Sequence, residues 1–295
     1  MGIMRKDNKL MALMSVWGII LVVLGHSGFE EPIIRERLAF LHSWIYSFHM
    51  PLFFMISGYL FSFTNKDFIS INPTKFLTKK IQRLLIPYTV LGIILYIIKL
   101  AFSGLSHAER TFSVGAFFKM FISPGCADST MGYLWYLLSL FMIFVIVITM
   151  IRLRCNLKST SLCIALFATF VCADSILPKI EWLNISSAVH YMPYFLIGIL
   201  LCNNNKLSTL INRIGGGNLL ISSILSVLIV TCRLEFPFKI GAIVSAIVGI
   251  WMSISLCNVV LRINRFGDYL ISFSKYTYSI YLFSWFGQYA AKIII

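Results

Sequence analysis

The sequence predicts an all-α fold, a polytopic membrane helix bundle of about nine to ten spans. Three observations predict it. Hydrophobic residues make up 59% of the 295 and charged residues only 12%, whereas soluble domains carry about 25% charged residues; the mean hydropathy is +0.86. Apolar runs of spanning length recur near 10–27, 43–63, 84–103, 132–151, 159–175, 188–203, 217–233, 238–261 and 270–291, each close to what a hydrocarbon core demands of a helix. Between them, strongly basic loops alternate with near-neutral ones.

The first span, LMALMSVWGIILVVLGHSGF, follows Arg5, Lys6 and Lys9 and so has the outline of a signal peptide. It closes on Gly25-His26-Ser27 instead of a small-residue cleavage site, and more spans follow, so it reads as a retained helix. The second, Ser43 to Phe63, reads SWIYSFHMPLFFMISGYLFSF. It carries His49, Pro51, Ser57 and Gly58, where a purely lipid-facing span would use Leu, Ile and Val. The loop after it holds Lys66, Lys75, Lys79, Lys80 and Arg83 against Asp67 alone. The fourth loop has Arg152, Arg154 and Lys158, the sixth Lys206 and Arg213, both without an acid. The odd-numbered loops nearly balance, with the seventh (Arg233 and Lys239 against Glu235) fitting either side. Basic excess collects in the cytoplasm, which puts the N-terminus there and the odd loops outside. With nine spans the C-terminus emerges outside, and the ending AAKIII has no polar tail. A single domain over 1–295 that lacks a final span is the expectation. An aromatic stretch from Phe112 to Phe121, in the long loop near 104–131, suits the membrane interface.

The net charge of +14 belongs to these loops and to anionic membrane lipid, not to nucleic acid. Seven cysteines lie in or beside apolar runs with no CxxC spacing; Cys there behaves as a small hydrophobe. No internal repeat of the kind that builds many transporters is visible.

Chemistry concentrates in a few positions. Ionisable groups at membrane depth are costly and face a protein interior or cavity. His26 ends the first span on the outer side, and His49 lies about 9 Å below the outer start of the second at the usual rise. Each imidazole fits either a hydrogen-bonded interior residue or an acceptor of a hydroxyl proton near neutral pH. No third His, Asp or Glu stands at ligand spacing, so no metal is expected. Lys79 and Lys80 precede Arg83 by four and three residues, on one helix face, and Pro87 can open the backbone one turn later. That basic group is either a positive-inside anchor or a phosphate site with Arg as a planar fork. Gly58 permits close approach of a helix or ligand.

LVVLGHS, FHMPLFFMISGYLF and the spacing of Phe76, Lys80, Arg83 and Pro87 (F-x3-K-x2-R-x3-P) resemble acyltransferase family 3. LWYLLSLF near 134–141, YMPYFLIGIL near 191–200 and YTYSIYLFSWFGQ near 276–288 are similar to that family as well. The resemblance implies an integral-membrane acyltransferase of the polysaccharide-modifying type. It implies an acyl-CoA donor taken from the cytoplasm, acetyl-CoA for O-acetylation, as a substrate and not as a bound cofactor. The acceptor is then a glycan or lipid-linked sugar outside a bacterial cytoplasmic membrane. By the same resemblance His26 and His49 are the catalytic histidines, with His26 as general base, and Lys80 and Arg83 meet the CoA phosphates. Ser57 and Gly58 fall on the acceptor or acyl path between them. Two departures stand out. The family's basic residue eleven positions before the first histidine is Ser15 here, and a late histidine found in many members is Ser284. The alternative reading of the residues is a multi-span exporter of a small polar or acylated solute, which would also use histidines at depth and a broken helix.

Overall fold

The apolar runs fold as helices in a computed structural model that describes residues 6–26, 32–101, 114–124, 132–232 and 238–294. In chain order they are α1 (Lys6–His26), α2 (Pro32–Thr64), α3 (Pro73–Lys80), α4 (Ile86–Ala101), α5 (Val114–Ile122), α6 (Trp135–Arg152) and α7 (Thr160–Ile176). Then follow α8 (Ile185–Asn203), α9 (Asn205–Arg213), α10 (Gly216–Thr231), α11 (Phe238–Arg262), α12 (Asn264–Ser272) and α13 (Thr277–Ile294). No strand occurs among the described residues, so the all-α expectation holds.

Local chemistry sets several starts. The Asn72 side chain accepts from the Lys75 N–H at 3.1 Å and Pro73 supplies a pre-set first turn, so α3 begins there. Asn204 does the same for α9 through the N–H groups of Lys206 and Leu207. Between α3 and α4 the backbone widens into a π-helical turn over Ile81–Leu85. Pro87 is the cause: it has no N–H for the Arg83 carbonyl four residues back, and its ring crowds that carbonyl.

Among the described residues six helical stretches are long and apolar enough to cross a membrane: Asn8–His26, Leu38–Thr64, Pro73–Ile98, Gly132–Arg152, Trp182–Asn203 and Ile240–Arg262. The α9–α10 pair, bent by 91°, makes a seventh if counted as one span. Of the other expected segments, 159–175 is the 17-residue α7, and 270–291 is interrupted by a 3-10 turn at Phe273–Tyr276. The second span is longer than its apolar run, because α2 is 33 residues from Pro32. Of the stretch expected at the interface, α5 covers Val114–Ile122; the rest of the 104–131 loop, apart from Ser123 and Pro124, lies outside the described residues, as do 27–31 at the first loop and 233–237 at the seventh.

The chain divides into two compact units. The first joins 1–63 to 197–295. In it α1 packs on α11, α12 and α13, and α10 packs along α11. Leu21, Ile45, Phe48 and Met252 are buried together, with Trp17, Trp44 and Leu219 against them. Each indole N–H finds a serine: Trp17 donates to Ser253 at 3.2 Å and Trp44 to Ser226 at 3.1 Å. Hydrogen bonds of this kind, with close contacts at small residues, hold helices together where lipid removes the hydrophobic incentive. Gly249 lies where any Cβ would overlap the Phe48 ring. The end of α8 crosses α2 backbone to backbone: a Cβ on Gly198 would overlap the Met55 carbonyl and the Tyr59 nitrogen beside Gly58. Lys9 and Asp268 pair at 2.7 Å.

The second unit is 64–196. The α3 helix and the π turn lie on α6, whose Leu137, Ile143, Phe144 and Val147 are buried. The Trp182–Asn184 turn is anchored by Asn184, which donates to Ser139 at 2.6 Å and to the Trp135 carbonyl at 3.2 Å.

A candidate site of histidines around one tyrosine

His42, Tyr46 and His49 recur at four- and three-residue spacing, so they share one face of α2. His26, the last residue of α1, meets that face. The Tyr46 hydroxyl lies 3.1 Å from His26 Nδ1. The Tyr46 ring stacks on His42 with centroids 4.0 Å apart and meets His49 edge-on at 4.9 Å. One phenol thus touches three imidazoles. His49 is 3% exposed, and its Nδ1 is 2.8 Å from the Ile45 carbonyl. A carbonyl only accepts, so Nδ1 carries the hydrogen and the neutral ring holds its lone pair on Nε2. Of the three imidazoles His26 is the exposed one, and Tyr46 beside it is exposed as well.

The cluster is suited to moving a proton. An imidazole whose Nδ1 hydrogen is held by an oxygen presents Nε2 as a base. Tyr46 oxygen can hold His26 in that tautomer, or the phenol can donate to Nδ1 in the other. Among the described residues, no three His, Cys, Asp or Glu side chains converge as metal ligands would.

In the second unit the basic residues fall into two kinds. Lys80 is half-buried, with its ammonium 4.1 Å from the Phe144 ring centroid and 5.1 Å from that of Phe76. The two rings meet edge to face at 5.6 Å, so the cation sits between aromatic faces. Lys79 and Arg83 are exposed, and Arg83 lies within the π turn. Lys80 is therefore fixed by packing, while Arg83 reaches outward.

A family model described as an acyltransferase domain, that of acyltransferase family 3, matches residues 13–293. The chain belongs to acyltransferase family 3. No curated protein and no solved structure matches it. Family membership together with the apolar helices makes this a membrane acyltransferase.

All six site residues expected from the sequence fall inside the region shared with acyltransferase family 3. The structure brings His26 and His49 together through Tyr46. Ser57 is half-buried and Gly58 buried, the latter at the α2–α8 crossing, so its close approach is to another helix. Ser15 turns back on its own helix, donating to the Ala12 carbonyl at 2.7 Å, and Ser284 likewise donates to the Tyr281 carbonyl at 3.2 Å. Lys9 is engaged by Asp268 and does not replace the missing cation.

Sequence reasoning missed three groups. Starting the second span at Ser43 left His42 outside it by one residue and hid the 42/46/49 stripe. The second group is Phe144, far in sequence from Lys80. The third is a hydrogen-bonded pair of Asp174 on α7 and His190 on α8, with Oδ2 to Nδ1 at 3.0 Å. Its carboxylate can orient the imidazole as a base, but the fifteen intervening residues form no pattern that links the two.

Proposed function

We propose that this protein is an O-acyltransferase of about nine to ten spans in a bacterial cytoplasmic membrane, with its N-terminus in the cytoplasm. It moves an acetyl group from acetyl-CoA to a hydroxyl of a surface polysaccharide or a lipid-linked sugar. The contact of His26 Nδ1 with the Tyr46 hydroxyl at 3.1 Å carries this reading, together with the family. His26 Nε2 takes the proton of the acceptor hydroxyl as its oxygen bonds to the acyl carbonyl carbon. The C–S bond breaks, and the proton passes from His26 to the leaving thiolate. His49, buried on α2 with its Nδ1 held by the Ile45 carbonyl, supports the charge that forms on the cluster. Arg83 binds the CoA phosphates with the planar fork that suits them, and Lys80 adds a cation held in place by Phe76 and Phe144. Ser57 follows His49 on α2 and lines the acyl or acceptor path, while Gly58 lets the end of α8 close against α2 beside it.

The test follows labelled acetyl groups from acetyl-CoA into the glycan fraction of cells that express the chain. His26→Ala is expected to lower transfer by about 10²–10⁴-fold, the usual share of a general base, with unchanged accumulation in the membrane. Near-normal transfer would remove His26 from the chemistry.

A further inference from the structure

The end of α6 is built in an unusual way. The Cys155 N–H reaches back to the Met150 carbonyl and the Arg154 N–H to the Ile151 carbonyl, both at 3.0 Å. This pair of bonds is a Schellman cap, whose left-handed position is usually glycine. Here that position is Arg154, with φ of 62°. A side chain is held in a conformation that disfavours it.

Arg154 opens on a cavity of about 450 Å³ between the 65–72 and 153–159 loops. Arg152 and Lys158 line the same cavity, and Asp67 is the one acid on its wall. Asp67 accepts from the Ile69 N–H at 3.2 Å, so it shapes its own loop. Lys158 lies 5.7 Å from the Phe68 ring centroid. Among the described residues no ion pair joins Asp67 to any of the three cations. Ile148 and Ile151 supply an apolar wall, and Ile69, 92% exposed, stands at the rim.

Positive-inside charge and a helix C-terminus both favour cations here. Neither calls for an arginine at a glycine position, nor for a cavity with three cations around it. We propose that this cavity is a binding site for a phosphate group, from an anionic phospholipid headgroup or from a soluble phosphomonoester. Arg154 supplies the planar fork, Arg152 and Lys158 complete the charge, and the isoleucines receive the carbon part of the ligand. The site is separate from the roles assigned to Lys80 and Arg83 and stands or falls without them.

Two probes test it on the purified full chain. One arm titrates adenosine 3′,5′-bisphosphate, which carries no thioester, into the protein in detergent with Arg83→Ala in every sample, so that the site assigned to the CoA phosphates does not answer for the cavity. The other counts phosphatidylglycerol retained by protein taken from phosphatidylcholine nanodiscs doped with it. Saturable binding in either arm is expected, weakened at least about tenfold by Arg154→Gly through loss of a charge-assisted pair, and the responding arm names the source. Glycine suits the cap better than arginine, so the thermal midpoint of that variant should hold or rise. Lys158→Gln, outside the cap, should weaken the same arm. Absence of saturable binding in both arms, or wild-type binding by both variants, overturns the proposal and leaves the cations as topology signals.

Discussion

Tyr46 is the residue on which the cluster turns, because its ring and its hydroxyl do different things. The ring packs between His42 and His49, and the hydroxyl contacts His26. Tyr46→Phe keeps the packing and removes only the contact. A neutral hydrogen bond contributes about 0.5–1.5 kcal/mol, so kcat is expected to fall by about 2–10-fold with KM little changed. The pH–rate profile should move too, since Nδ1 loses its partner. A variant with unaltered kcat and profile would make Tyr46 a packing residue only. His26 and His49 were legible in the sequence because an imidazole in an apolar span stands out against its neighbours. Tyr46 and His42 were not, since an aromatic stripe near an interface is ordinary and the stripe straddles the edge of the apolar run.

At the scale of the element, helix length and hydropathy follow different rules. The apolar run of the second span begins at Ser43, whereas α2 begins at Pro32, because backbone hydrogen bonds continue through polar residues once a first turn is set. The break near Pro87 was legible, since proline removes a donor wherever it stands. Its form, a π turn that carries Arg83, was not, because it also depends on how the turn packs against α6. Gly58 was legible as a close-approach residue, but its partner Gly198 belongs to a helix 140 residues away in the chain. Gly198→Ala is expected to destabilise the first unit by about 1–3 kcal/mol, as overpacking does, because its Cβ meets backbone that cannot rotate away. Thermal unfolding in detergent reads this, and an unchanged midpoint would mean that the crossing is loose. The basic turn gives a second expectation. Arg83→Ala should weaken acetyl-CoA binding about 10–100-fold, the range for a lost hydrogen bond to a charged group of about 1.5–3 kcal/mol, while His26→Ala leaves it nearly intact. Calorimetric titration separates the two, and equal loss in both variants would contradict distinct donor and base roles.

At the scale of the whole chain, three contacts within the two units join segments that the loop charges of the sequence put in the same class. Lys9, before the first span, touches Asp268 in the eighth loop. The second and fourth loops line one cavity, and α5 in the third loop touches the Trp182–Asn184 turn of the fifth. Each contact lies inside one unit and joins segments of like parity. In the proposed topology α7 crosses the membrane. Its 17 residues rise about 25 Å at 1.5 Å each, short of a core of about 30 Å but within what local thinning accommodates. Its ends differ as a crossing helix demands: Arg152, Arg154 and Lys158 precede it without an acid, whereas Asp174 stands in its last turn and Lys179 and Glu181 follow it. A reporter active only outside the cytoplasm, fused after Pro124, Asn156, Lys179 or Asn204, reads the arrangement directly. Activity is expected at Pro124 and Lys179, and silence at Asn156 and Asn204. Activity at Asn156 with silence at Pro124 would invert the protein and put His26 on the donor side. Equal signals at Asn156 and Lys179 would instead leave α7 on one face, reduce the number of spans by one and reverse the side of every segment after it.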